Sequence, residues 1–331
     1  MSIREELEKN EHLILSSKAA FSDAAIRGVQ IEKDPIRTAY QRDKDRILHS
    51  KSFRRLKHKT QVFLSPEGDH YRTRMTHTLE VSQIGRTIAR ALHLNEDLTE
   101  AACMGHDLGH TAFGHAGEAA LADICPIGFN HTEQSVRVVT TLEREGKGLN
   151  LCLATIDGIA CHSKGKLAST LEGQIVRFAD KIAYMNHDID DAISAKVIKE
   201  TDIPLEVIKN VGDSKSSRIT SFVTSIIENS TDEIKLSPSM QGYFDILKDF
   251  LFSNVYRNPI AKGEEGKAKI MIQTLYKYYV EKPNEMPDLY ISIAEKEGKE
   301  RAACDYVAGM SDVFAVDLYK SLFIPNGWRN N

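Results

Sequence analysis

The sequence predicts an all-α protein, and three observations carry that expectation. Apolar residues recur at helical spacing, most clearly in Val81, Ile84, Ile88 and Leu92 and again in Ile175, Ala179, Ile182 and Ile189. Clean apolar/polar alternation, the mark of a half-buried strand, is scarce. The 331 residues are 41% hydrophobic and 27% charged, the balance of a globular chain able to bury a large core.

From the start of the chain, the first twenty residues are charged and lack a continuous apolar run. No later stretch approaches the roughly 18 uncharged apolar residues of a membrane span, so a cytoplasmic protein without a membrane partner is expected. Five scattered cysteines, Cys103, Cys125, Cys152, Cys161 and Cys304, with no C-x-x-C pair, fit reduced thiols and argue against a disulfide framework or zinc ribbon. Between Arg42 and Lys59, eight Lys and Arg residues stand against Asp43 and Asp45. With a net charge of −4 there is no global attraction for polyanions, so a phosphate-bearing partner would be drawn by such a patch; a solvated helix face explains it equally well. Only Phe53 and Phe63 interleave the patch, which makes single-stranded nucleic acid a weakly supported partner.

Turn-forming clusters fall at Ser65–Asp69, Gly146–Gly148, Gly212–Ser217 and Lys262–Gly266. The third, following Pro204, is the strongest break. The chain therefore reads as a chemical part, residues 1–200, and a helical C-terminal region, 201–331, packed on it. His77 lies four residues before Val81 and seven before Ile84, on the face of the apolar stripe, and so points inward from a helix start. Four of the twelve histidines, His106, His110, His115 and His131, crowd into Gly105–His115 and Phe129–His131. A lone core histidine is more often a hydrogen-bonded structural residue than a ligand, but a set weakens that explanation. The adjacent pair His106-Asp107, with His77 upstream and Asp180 downstream, supplies two imidazoles and two carboxylates. Such mixed ligation suits a catalytic divalent ion with open positions and does not single out one metal. On the downstream helix Asp180, Tyr184, His187, Asp188 and Asp191 share one polar face beside the apolar stripe.

At these residues the chain resembles the HD-domain deoxynucleoside triphosphate triphosphohydrolases, the dGTPase family. The resemblance rests on Thr76–Val81, His106–His110 through Phe113–Glu118, Phe129–His131 with Gln134-Ser135, and Ala179–Tyr184. It extends to the block Arg42–Ile47, Ser52–Leu56, Lys59–Phe63 and Glu67–Arg74, and to the stretch Asp305–Asp312. It implies an HD-domain helical bundle with a helical C-terminal extension. It further implies His77, His106, Asp107 and Asp180 as ligands of a divalent metal, with Mn, Mg, Fe, Co, Ni and Zn all open. His110, His115, Glu118 and His131 would act on the reacting water, phosphate or leaving oxygen, with Glu118 fixing the tautomer of His115. Arg74, Lys181 and parts of the 42–59 patch would face a triphosphate, Gln61 and Asp188 would recognise a sugar 3′-hydroxyl, and Tyr184 would pack on the deoxyribose. The implied reaction is hydrolysis of dGTP or several dNTPs at the α-phosphate to deoxynucleoside and tripolyphosphate. Thr111-Ala112 stands where many members carry prolines, which predicts a less rigid loop. The family also implies a homo-oligomer, for which Phe314, Leu318 and Leu322 offer apolar surface, and activity that responds to a regulatory dNTP. Two other readings stay open: a different HD phosphohydrolase, such as a nucleotidase, a phosphodiesterase or a two-metal enzyme using His110 and His131, and a non-catalytic dNTP-binding sensor.

Overall fold

The computed structural model describes residues 1–61, 72–258 and 263–325. Among them no strand forms beyond two isolated antiparallel bridges, Arg27 with Cys152 and Thr60 with Thr73, so the all-α expectation holds. The turn cluster at 65–69, Val62-Phe63, the Glu67–Tyr71 part of the N-terminal block and Lys262 lie outside the described residues.

The principal helices are α1 (Ile3–Ile14), α2 (Ala39–Leu48), α3 (Lys51–Arg55), α4 (Arg74–Ala91), α5 (Glu96–Gly105), α6 (Gly114–Ile124), α7 (His131–Arg137) and α8 (Leu153–Ala160). They are followed by α9 (Leu171–Ser194), α10 (Leu205–Asn210), α11 (Lys215–Asn229), α12 (Pro238–Asn254), α13 (Glu265–Glu281), α14 (Asp288–Glu297), α15 (Lys299–Ala308) and α16 (Asp312–Phe323). Most start at a residue whose side chain satisfies an orphan backbone N–H: Thr38, Thr73, Asn95, Thr170, Ser214 and Ser237 all cap in this way.

Three large apolar interiors and a smaller one around Tyr40, Leu98 and Cys152 form among the described residues. The first joins Val81, Ile84 and Ile88 of α4 to Ile175, Ala179, Ile182 and Ile189 of α9, and continues through Phe222, Ile226, Phe244 and Leu247 of α11 and α12. Each large aliphatic buried there contributes about 1.5–3 kcal/mol. Residues on both sides of position 200 share this interior, and the turn cluster at 212–217 ends inside α11, where Ser214 accepts from Ser217 N at 3.2 Å. The second interior packs α6 against α13, α14, α15 and α16, and takes in Leu318 and Leu322, so of the three apolar residues expected at the surface only Phe314 is exposed. The third packs Ile47, Phe53 and Leu56 on Met104, Leu108 and Ile159.

Most cations of the 42–59 patch are engaged by other groups of the fold. Arg42 donates to Glu32 O at 2.8 Å, Lys44 pairs with Asp97 and Glu100 at 3.3 and 3.2 Å, and Arg46 donates to Leu149 O and Asn150 O at 2.7 Å each. Arg54 donates to His49 O and Arg55 to Ser52 Oγ, both at 3.1 Å. Lys59 alone of the patch makes a hydrogen bond to a site residue among the described contacts: it is buried, and its ammonium bonds the carbonyls of His110 and Ala308.

Candidate active site

Three elements bring the histidines and aspartates together. The first turn of α4 carries Arg74 and His77, the end of α5 runs directly into His106-Asp107, and the middle of α9 carries Asp180. Packing of α4 and α5 on α9 closes them around one point. His77 Nε2 lies 3.2 Å from Asp180 Oδ1 and 3.7 Å from Asp107 Oδ2. His106 Nε2 lies 3.3 Å from Asp107 Oδ1 and 3.8 Å from Asp180 Oδ1. His77, His106 and Asp107 are almost fully buried, whereas the Asp180 side chain keeps 20% of its surface, so the cluster opens on the Asp180 side.

The turn after α5 is fixed by close backbone packing. A Cβ on Gly109 would sit 2.1 Å from Ser135 N and 2.4 Å from His131 O, so only glycine lets α7 approach. Ser135 Oγ accepts from Gly109 N at 2.8 Å and donates to His106 O at 2.7 Å, pinning both sides of the His-Asp pair. The Thr111-Ala112 loop is braced where sequence predicts looseness: Thr111 Oγ1 donates to Gly114 O at 3.0 Å, and Phe113 N donates to Asp312 at 2.9 Å. Asp312 also accepts from Thr60 N at 3.0 Å, while Asp305 accepts from Gln134 at 3.0 Å and from Arg137. The two acids of the Asp305–Asp312 stretch thus hold the site loops from behind.

Electrostatics favours charged carboxylates. Burial opposes ionisation of Asp107, but His106, His110 and Arg74 outweigh it and hold the carboxyl well below the usual range. Arg74 does so through Nη1, which donates to Asp107 Oδ2 at 2.8 Å, while its Nε is buried without a hydrogen-bond partner. In Asp180, burial likewise loses to the hydrogen bond with His77 and to the charge of His106.

Four accessory residues form a wall beside Asp107. His110 Nε2 lies 3.2 Å from Asp107 Oδ1, and its Nδ1 is buried with no hydrogen-bond partner. Burial and the charges of Arg74 and His131 push its pKa well below 6.5, which keeps it neutral at pH 7. The ring stacks on His131, with centroids 4.0 Å apart. His131 Nδ1 lies 2.8 Å from Glu118 Oε1, whereas His115 Nδ1 lies 3.4 Å from Glu118 Oε2 with its side chain 81% exposed. Glu118, expected to orient His115, therefore makes its shorter contact with His131. Burial lowers the His131 pKa, and the Glu118 carboxylate more than reverses that.

The remaining expected residues fall around the same opening. Gln61 Oε1 is buried without a hydrogen-bond partner, and its backbone carbonyl and the Arg74 guanidinium both lie against Gly114. Lys181 is half-buried next to Asp180 with no ion-pair partner among the described residues, and Tyr184 is one turn on, half-buried against the first interior. Asp188 is buried; its Oδ2 accepts from Tyr256 OH at 2.5 Å, and its Oδ1 lies 2.8 Å from His187 Nδ1 without a hydrogen bond.

Sequence reasoning missed His162, Tyr256 and the role of His187. His162 is buried with its ring 5.0 Å from that of His106, and burial plus the His106 charge push its pKa down to about 4. No local motif marks it. Tyr256 lies 68 residues beyond Asp188, just past α12, so no sequence spacing could couple the two.

The donor set passes a direct test for a divalent cation. His106 Nδ1 donates to Cys103 O at 2.6 Å, so the neutral ring carries its lone pair on Nε2, which is buried without a hydrogen-bond partner and turned toward two carboxylates. Lone pair against anion is repulsive until a cation stands between them. Mixed nitrogen and oxygen donors with one solvent-facing side fit a catalytic ion.

Comparison with known proteins agrees with this geometry. The HD domain model matches residues 74–185, a span that begins at α4 and ends in α9, and the phosphohydrolase-associated domain matches residues 234–321. Proteins described as deoxyguanosinetriphosphate triphosphohydrolase-like are 53% identical in Caldanaerobacter subterraneus, over 99% of this chain and 98% of that one, and 49% identical in Clostridium perfringens, over 98% of each. A third, from Desulfatibacillum aliphaticivorans, is 45% identical over 98% of this chain and 99% of its own length. A solved structure of a hypothetical protein from Aquifex aeolicus shares the fold at a TM-score of 0.50 and 18% identity, covering 86% of this chain and 68% of that one. With near-complete coverage at such identity, and an HD match that contains the whole His77, His106, Asp107, Asp180 cluster, the chain belongs to the HD-domain family of deoxyguanosinetriphosphate triphosphohydrolase-like proteins.

Proposed function

We propose that the protein hydrolyses deoxynucleoside triphosphates at the α-phosphate, releasing deoxynucleoside and inorganic tripolyphosphate, with a divalent ion held by His77, His106, Asp107 and Asp180. The observation that carries the reading is the unpaired His106 Nε2 facing two carboxylates beside a wall of accessory histidines. When bound, the ion polarises a phosphoryl oxygen.

The chain's own residues do the rest. Arg74 and Lys181 supply fixed positive charge to the phosphates. His110 is neutral and buried, and its free Nδ1 accepts a hydrogen bond or a proton; His131, whose pKa Glu118 raises, faces phosphoryl oxygen. His115 stands exposed at the mouth, where with Glu118 it positions or deprotonates water. Water adds to Pα, the bond from Pα to the 5′-oxygen breaks, and that oxygen takes a proton. Gln61, with its unpaired buried oxygen, accepts from the sugar 3′-hydroxyl, and Asp188 contributes by holding Tyr256 near Tyr184, whose ring occupies the space a 2′-hydroxyl would need. Val313 and Phe314, 57% and 47% exposed, are part of the exposed apolar surface and would serve a homo-oligomer, which light scattering measures.

The test is product identification over all four dNTPs with Mn²⁺ or Mg²⁺, with and without a second dNTP as regulator. Deoxynucleoside and tripolyphosphate in equal amounts are expected. Release of only orthophosphate or pyrophosphate would sink the reading, and tight dNTP binding without turnover would favour a sensor.

A further inference from the structure

His77 has two working edges. Nε2 faces Asp180 and Asp107, while Nδ1 faces Nε2 of His187 at 2.9 Å, the two rings standing nearly perpendicular at 82°. Both residues are buried, at 1% and 0% exposure, so water does not compete for the contact. An imidazole that turns its Nε2 lone pair toward a cation carries its proton on Nδ1. The contact is then Nδ1–H of His77 donating to Nε2 of His187.

That assignment requires His187 to keep its own proton on Nδ1, and the structure supplies the reason. Nδ1 of His187 lies 2.8 Å from Asp188 Oδ1, off the line of a hydrogen bond but close enough for the carboxylate charge to favour a proton there. Asp188 is itself held in place by Tyr256 OH at 2.5 Å. The partner imidazole, His106, reaches the same state through the backbone carbonyl of Cys103 at 2.6 Å. One ligand is oriented by main chain, the other by a side chain three residues beyond Tyr184.

His187, Asp188 and Asp191 also come together closely enough to read as a second cation cluster. Arg72 already fills that role: its guanidinium bonds Asp191, lies 3.2 Å from Glu80 and 3.6 Å from Asp190. With Nε2 of His187 accepting from His77 and its own proton on Nδ1 beside Asp188, the ring offers that cluster no lone pair.

We propose that His187 is a positioning residue which, backed by Asp188, fixes His77 as the Nδ1–H tautomer and so sets the affinity of the His77, His106, Asp107, Asp180 cluster for its divalent ion. The inference rests on the metal reading given above. Outer partners of this kind change metal affinity by about 10–100-fold when removed.

The experiment is equilibrium dialysis of Mn²⁺ against the full-length chain, its His187→Leu, His187→Gln and Asp188→Asn variants, with melting curves recorded without metal. Leucine removes the acceptor, and affinity is expected to fall about 10-fold or more. Glutamine restores an acceptor oxygen and recovers most of that loss, a rescue that simple packing at this position would not produce. Asp188→Asn keeps shape and packing, and weakens binding even where the leucine variant does not fold. Wild-type affinity in a folded His187→Leu variant, equal losses in the leucine and glutamine variants, or unchanged affinity in Asp188→Asn each overturns the inference. A wild-type chain that takes up no Mn²⁺ overturns the metal reading itself, and is seen separately.

Discussion

Nε2 of His106 lies 3.3 Å from Asp107 Oδ1, buried and without a hydrogen-bond partner, while Nδ1 of the same ring donates to the Cys103 carbonyl. A neutral ring at this position sets a lone pair against two carboxylates, and a cation between them turns that repulsion into attraction. Divalent metal is therefore expected to raise the melting temperature and a chelator to lower it, with about 2.7 kcal/mol gained at free metal 100-fold above Kd. Asp180→Ala removes the response. Identical melting in Mn²⁺ and in chelator would contradict the cation site.

His115 and Asp180 separate chemistry from metal holding. Asp180 contacts both His77 and His106, whereas His115 is exposed and touches only Glu118 among the hydrogen-bonded residues described. Asp180→Ala is expected to lose bound metal and turnover together. His115→Ala keeps the metal and changes stability by less than about 0.5 kcal/mol, as exposed sites do, while losing turnover. Metal analysis beside activity decides it, and equal metal loss in both variants would refute the division of roles.

How far the site was legible from sequence follows from where each contact is made. His77, His106, Asp107 and Asp180 could be found because helical periodicity turns them to the core face and because adjacent or repeated histidines stand out locally. Their supports could not. Tyr256 meets Asp188 across 68 residues, and Asp312 meets Thr60 across 252, distances over which no spacing rule operates. The basic patch was only half legible for the opposite reason: charge can be counted in sequence, but whether a cation is engaged by a carbonyl, as in Arg46, depends on the folded loop it reaches. Glu118 shows the same limit on a smaller scale. Sequence places it one turn from His115, yet α7 delivers His131 closer.

Lys59 gives a pH signature. Its ammonium is buried, and burial with the Arg55 charge, only partly offset by Asp312, pushes its pKa down to about 7. Below that pH the lysine is charged in both states and the burial cost is felt in full. From pH 7 toward 10 the unfolded chain holds the extra proton, so stability rises with pH. Relative to Lys59→Met, the wild type is expected to gain about 2 kcal/mol between pH 7 and 9, the full slope being about 1.4 kcal/mol per pH unit. Denaturant melts at the two pH values measure it, and parallel pH dependence in the two proteins would show that Lys59 stays charged when folded.

Gly109 offers a sharper structural test than any ligand. An added methyl at this position meets backbone, Ser135 N at 2.1 Å and His131 O at 2.4 Å, and backbone cannot rotate away as a side chain can. Gly109→Ala must therefore push α7 off the turn, breaking the Ser135 bonds to Gly109 N and His106 O and carrying His131 away from His110. Overpacking costs about 1–3 kcal/mol, with the two lost hydrogen bonds adding about 1 kcal/mol each. The expected outcome is a melting temperature several degrees lower and a weakened metal response, since His106 and Asp107 lie on the displaced turn. Gly242→Ala, where an added Cβ meets nothing within 4 Å, is the control and is expected to melt as the wild type or slightly higher. A Gly109→Ala protein that melts like this control with unaltered metal binding would show that α7 and the His-Asp turn are not locked together.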